Sequence, residues 1–134
     1  MNRKSASLFL GISLNILFTA LFLLMISYWK ADSGEITLHM NQVGVFKESA
    51  NAESCKEKIR KMGMEAYSYE NDDLIMVVTS LNLNENLCIE DQKKLSSKQI
   101  SSVLKKVTSS DSKFKKAVES NDYETVMELM SELK

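Results

Sequence analysis

Residues 36–81 read ITLHMNQVGVFKESANAESCKEKIRKMGMEAYSYENDDLIMVVTSL, and the hydrophobic period of this stretch changes twice along its length. Ile36–Phe46 is rich in β-branched and apolar residues, so it reads as a strand that Lys47-Glu48-Ser49 breaks. Ala50–Met62 switches to helical spacing, with Ala52, Cys55, Ile59 and Met62 on one face and Glu53, Lys56, Glu57, Lys58, Arg60 and Lys61 on the wet one. Ser49 or Asn51 is placed to cap this helix, and Gly63 to end it in a positive-φ conformation. Met64–Tyr69 then reads as a second strand, Glu70–Asp73 as a hairpin turn and Leu74–Leu81 as a third strand. The order β-helix-β-turn-β predicts an α+β domain with the helix on one face of the sheet.

Strand alternation assigns side chains to faces. Val43 and Val45 are expected on the helix side, with Gln42 opposite, beside Leu38, Met40 and Gly44. Met76 and Val78 join the Gln42 face from the third strand. Asn41 falls on the helix side, where a buried amide needs a hydrogen-bond partner.

Downstream, Asn84–Leu95 reads either as a helix or as a short strand over Leu87–Glu90. Ser96 and Gln99 have capping-box spacing, so a helix is expected over Ser96–Val107 with Ile100, Val103, Leu104 and Val107 inward. Asp111 caps another expected helix, carrying Phe114, Ala117 and Val118. Asn121-Asp122 caps a last one, with Tyr123, Val126, Met127, Met130 and Leu133 as its stripe. The expected organisation is a stub over 1–7, a transmembrane helix over 8–28, a linker over 29–35, a domain over 36–95 and a helical extension over 96–134.

The transmembrane expectation rests on Leu8–Tyr28, an uncharged apolar run preceded by Arg3 and Lys4 and followed by Trp29 and Lys30. Such flanks put the N-terminus in the cytoplasm and residues 30–134 outside, a single-pass cell-membrane location. A cleaved signal peptide shares the charge-then-apolar pattern, but Ser27-Tyr28-Trp29 puts bulky rings where a peptidase wants small side chains. Asn15 inside the run reads as an amide bonding locally.

The 134 residues carry a formal net charge of -1, with 44% hydrophobic residues and no proline. A near-neutral chain lacks the basic surface a general nucleic-acid binder needs. His39 has no ligand set at metal spacing, and no phosphate loop or nucleophile elbow occurs, so neither cofactor, metal nor enzymatic activity is expected. Cys55 and Cys88 read as two free thiols, although a disulfide is chemically allowed outside the membrane.

The segment Ile36–Leu81 resembles the SPOR domain, a bacterial module, in three places. Gln42-Val43-Gly44-Val45-Phe46 is similar to the glutamine-apolar-glycine-x-phenylalanine core of its first strand. Ser49-Ala50-Asn51-Ala52-Glu53, the basic run Lys56–Lys61 and Gly63 are similar to its helix. Leu74–Ser80 keeps the shape of its third strand without the closing glycine. The resemblance implies a ferredoxin-like βαββαβ fold whose sheet face contacts peptidoglycan glycan strands lacking stem peptides, in cell division or sporulation. Gln42, Met76, Ser80, Tyr67 and Tyr69 are the glycan-binding candidates on that basis. The alternative is a membrane-anchored protein-interaction or assembly module with the same fold and no glycan binding, its partner held by the C-terminal helices. The two readings part on whether the Gln42 face is open or covered by those helices.

Overall fold

The computed structural model describes residues 3–32 and 34–133, with the side chains of 13–27 and of 34–133. The chain divides into two units, Met1–Gly34 and Glu35–Lys134.

The first unit contains one helix, α1 (Arg3–Asp32). Within it the Thr19 hydroxyl donates to the Asn15 carbonyl at 2.8 Å, a bond local to the helix. Among the described residues no helix is long and apolar enough to cross a membrane. This corrects the expected transmembrane helix over 8–28 and, with it, the single-pass cell-membrane localisation. Arg3, Lys4 and the Tyr28-Trp29 pair, on which the orientation argument rested, lie outside the residues whose side chains are described.

The second unit is α+β. Its elements are β1 (Ile36–Phe46), α2 (Ser49–Arg60), β2 (Ala66–Asn71), β3 (Leu74–Asn82), α3 (Glu85–Ser97), β4 (Val103–Ser109), α4 (Ser112–Glu119) and α5 (Tyr123–Glu132). The strands form one antiparallel sheet in the order β2-β3-β1-β4. Asp72 and Asp73 close the β2–β3 hairpin with positive φ values of 48° and 63°, the backbone of a type I′ turn that matches sheet twist.

The expected helix over Ser96–Val107 is overturned. Ser96 and Ser97 end α3, Lys98–Ile100 form the turn that closes it, and Val103–Ser109 is the strand β4. The reason lies in the α3 terminus. Gln99 takes a left-handed φ of 61°, its N–H donates to the Ser96 carbonyl at 2.9 Å, and the Ile100 N–H donates to the Leu95 carbonyl at 3.0 Å. This is a Schellman closure with Leu95 and Ile100 in apolar contact. A helix start and a helix stop therefore share the same serines, and the apolar residues beyond them follow strand pairing with β1.

Helices cover both faces of the sheet. On one face α2 and α3 bury Ile59, Leu95 and Ile100 against Ala66, with Val43, Met62 and Met64 packed beside them. Asn41, fully buried on this side, donates through Nδ2 to the Cys88 carbonyl at 2.7 Å. On the other face α4 and α5 insert Phe114, Ala117, Val118, Val126, Met127 and Met130 against Leu38, Met40, Val78 and Leu81. Asp111 caps α4 by accepting from the N–H groups of Lys113 and Phe114, and Asp122 caps α5 by accepting from that of Thr125.

Candidate functional site

Two β-bulges decide where the candidate residues go. In β1, Gln42 lies opposite Val78 while Gly44 lies opposite Val77, so one extra residue sits between these pairs. Val43 packs with the α2–α3 core, and Gly44 faces the same way: a Cβ there would stand 3.6 Å from the Cys55 sulfur of α2. The bulge thus reverses the expected alternation. Val45 joins Gln42 on the other face, and Gly44 leaves it. An added Cβ at Gly44 would lie 2.5 Å from the Phe46 ring, which rests across the β1 backbone and would have to move aside.

The second bulge is in β3, between the pairs His39–Asn82 and Asn41–Thr79. Ser80 sits in it with a φ of 57°, an uncommon conformation for a residue with a Cβ. Its carbonyl accepts from the Cys88 thiol at 2.8 Å. Its own hydroxyl is buried without a hydrogen-bond partner among the described residues.

The face that carries Gln42 is therefore split. Leu38, Met40 and Val78 lie under α4 and α5 with no exposed surface. Gln42 and Met76 remain half-buried at the far end of that face. Val45, 44% exposed, pairs with Met76, and Val103, 57% exposed, pairs with Gln42. This open end is a small apolar strip with one amide, poor in the hydrogen-bonding and aromatic groups a sugar needs.

Tyr67 and Tyr69 share the Gln42 face, since they pair with Val78 and Met76, but α5 packs on them. The Tyr67 ring meets Tyr123 of α5 edge-on, with centroids 5.7 Å apart. Beside that pair lies a depression of about 460 Å³ whose lining includes Tyr67, Tyr123, Thr79, Ser80, Asp91 and Lys94. Lys94 pairs with Asp91 at 2.7 Å on α3, and this contact holds its ammonium charged well above neutral pH. Burial pushes the phenols of Tyr67 and Tyr123 up from the usual tyrosine value; the carboxylates of Glu65 and Glu124 add to this at Tyr67, against the pull of Arg60. The Tyr123 hydroxyl donates to the Asn121 side-chain carbonyl at 2.9 Å. On the opposite side of Tyr67 a second groove, of about 390 Å³, follows the edge of β2 between α2 and α5 and takes in Tyr69.

The five candidates are therefore not gathered in one place. Ser80 and Tyr67 meet at the first depression, Tyr67 and Tyr69 line the second, and Gln42 and Met76 line neither. Asp91, Lys94 and Tyr123 were not singled out from sequence. Their signal was present only as helix-surface charge and as an apolar stripe, because the β3 bulge that brings them beside Ser80 leaves no mark in hydrophobic period. Cys55 and Cys88 are free thiols on α2 and α3, and burial holds both above the usual thiol value.

No family model matches the chain, and no curated protein matches it. Among solved structures it is similar to the solution structure of the peptidoglycan binding domain of the B. subtilis cell wall lytic enzyme CwlC. The TM-score is 0.51 at 18% sequence identity, over 53% of this chain and 90% of that one. At that identity the likeness is one of fold.

Proposed function

We propose that residues 35–134 form a peptidoglycan-binding module that contacts glycan at the depression beside the β3 bulge rather than on the middle of the sheet. The observation that carries this reading is the shared fold with a domain described as peptidoglycan binding. The site follows from chemistry. Sugar recognition combines aromatic surface with directed donors and acceptors, and this depression brings Tyr67 and Tyr123 beside the Ser80 backbone and the Asp91–Lys94 pair. The middle of the sheet face has no room for a ligand, because Phe114 and its neighbours fill it. In this reading the module binds without catalysis, and the SPOR resemblance supports a role in division or sporulation.

The test is co-sedimentation of the full chain with purified sacculi stripped of stem peptides. Wild type is expected in the pellet. Replacing both Asp91 and Lys94 with Ala should release it, while Gln42→Ala should not. A wild-type chain that stays in the supernatant would overturn the reading. A second reading, a protein-interaction module of the same fold, is favoured by one observation: the sheet face is occupied by the chain's own α4 and α5. The apolar faces of the C-terminal helices are spent on this packing, so in this reading a partner meets their polar surfaces or another part of the domain.

A further inference from the structure

The sheet ends at β2, an edge strand running between α2 and α5. Edge strands expose unpaired main-chain groups, and proteins blunt them with covering elements or side chains. Here the blunting is partial. An Arg60 guanidinium nitrogen donates to the Ala66 carbonyl at 3.2 Å, and the Glu70 N–H donates to the Ser131 hydroxyl at 3.0 Å. Those contacts show that the main-chain groups of Ala66 and Glu70 point away from β3. Alternation along the strand places the N–H and C=O of Ser68 on the same outer edge. Among the described residues, neither has a partner. A groove of about 390 Å³ lies over this gap.

The groove walls carry opposite charge. Lys56 and Arg60 stand with Glu53 on the α2 side, which is net positive, Glu124 and Glu128 on the α5 side, and Glu70 on β2 between them. Lys56 is paired with Glu53 on its own helix at 2.5 Å. Arg60 has no ion-pair partner among the described residues, nor do Glu124 and Glu128. In an added strand, successive side chains point to opposite faces of the sheet. One set would therefore meet α2 and the other α5.

We infer that the β2 edge is a strand-addition site for an extended peptide presenting acidic side chains to α2 and basic side chains to α5. Main-chain bonds to Ser68 supply the pairing, and the alternating charge supplies the selection. This goes beyond the glycan reading and does not depend on it, because the glycan depression is tested through Asp91 and Lys94, which do not line this groove.

The probe is a blocked, fluorescein-labelled peptide Glu-Lys-Glu-Lys-Glu-Lys, titrated with the full chain and read by fluorescence anisotropy. Its control is Glu-Glu-Glu-Lys-Lys-Lys, of the same composition without alternation. Ser68→Pro removes the outward N–H and no bond of the β2–β3 ladder, a change edge strands tolerate. The alternating peptide should bind about tenfold or more tighter than the block peptide, and Ser68→Pro should weaken it by about tenfold. If that variant loses its native circular dichroism, the double variant Arg60→Ala, Glu128→Ala decides, since neutralising both walls should weaken the alternating peptide by a similar factor. Equal binding of the two peptides, or unchanged binding in the folded variants, would overturn the inference.

Discussion

Phe114 is the side chain by which the C-terminal helices claim the sheet. It is 1% exposed and packs in the core shared by α4, α5 and the sheet. Deleting a buried aromatic of this kind costs about 3–5 kcal/mol in transfer and cavity terms. Phe114→Ala is thus expected to lower the denaturant midpoint markedly, and an unchanged midpoint would show that α4 is not part of the core. At Asp122 the effect is electrostatic. Its carboxylate is held below the usual value by the Thr125 side chain first and the Thr125 N–H second. A folded pKa below the unfolded one stabilises the fold above the unfolded value, and that contribution is lost as pH falls through the folded value. Asp122→Ala should therefore be less stable than the parent at neutral pH. The two should converge as acid unfolding proceeds below the ordinary carboxylate range, whereas a gap that persists at the lowest pH would assign Asp122 another role.

At the scale of elements, the α4–α5 pair separates this chain from a sheet with one open face. A chain ending at Ser110 would expose Leu38, Met40 and Val78, which have no exposed surface in the full fold, and patches of that kind drive association. Such a truncation is expected to bind a hydrophobic dye and to aggregate. A monomeric, dye-negative product would mean the helices are dispensable to the sheet. β1, α2, β2 and β3 were legible because their apolar periods are clean and because Gly63 and the Asp72-Asp73 pair mark their ends. The caps at Asp111 and Asp122 were legible for the same kind of reason, a short acceptor just before an apolar stripe. β4 was not. Its apolar residues Val103, Leu104 and Val107 fit helical spacing as well as strand pairing, and the Schellman closure at Gln99 uses no glycine that would announce it. The bulges at Val43 and Ser80 were equally hidden, and they are what sent Val45 to the Gln42 face and placed Ser80 beside Tyr67's depression.

For the whole molecule, two covered faces leave the rim of the sheet for the proposed recognition. The α2–α3 layer and the α4–α5 layer leave the β3 bulge, the β2 and β4 edges and the strip around Gln42 accessible. The bulge depression sets two tyrosines edge-on to each other beside an ion pair. Legibility of the site was lower than that of the fold for this reason: Gln42 was chosen on the premise of an open sheet, whereas Tyr67 and Ser80 hold a place that depends on tertiary packing. The most direct measurement is a titration of the isotope-labelled full chain with soluble glycan strands free of stem peptides, followed by amide NMR shifts. The account predicts perturbations concentrated at Tyr67, Ser80, Asp91, Lys94 and Tyr123, with Gln42 and Val103 unmoved. Shifts centred on Gln42, Met76 and Val103, or none at all, would contradict it.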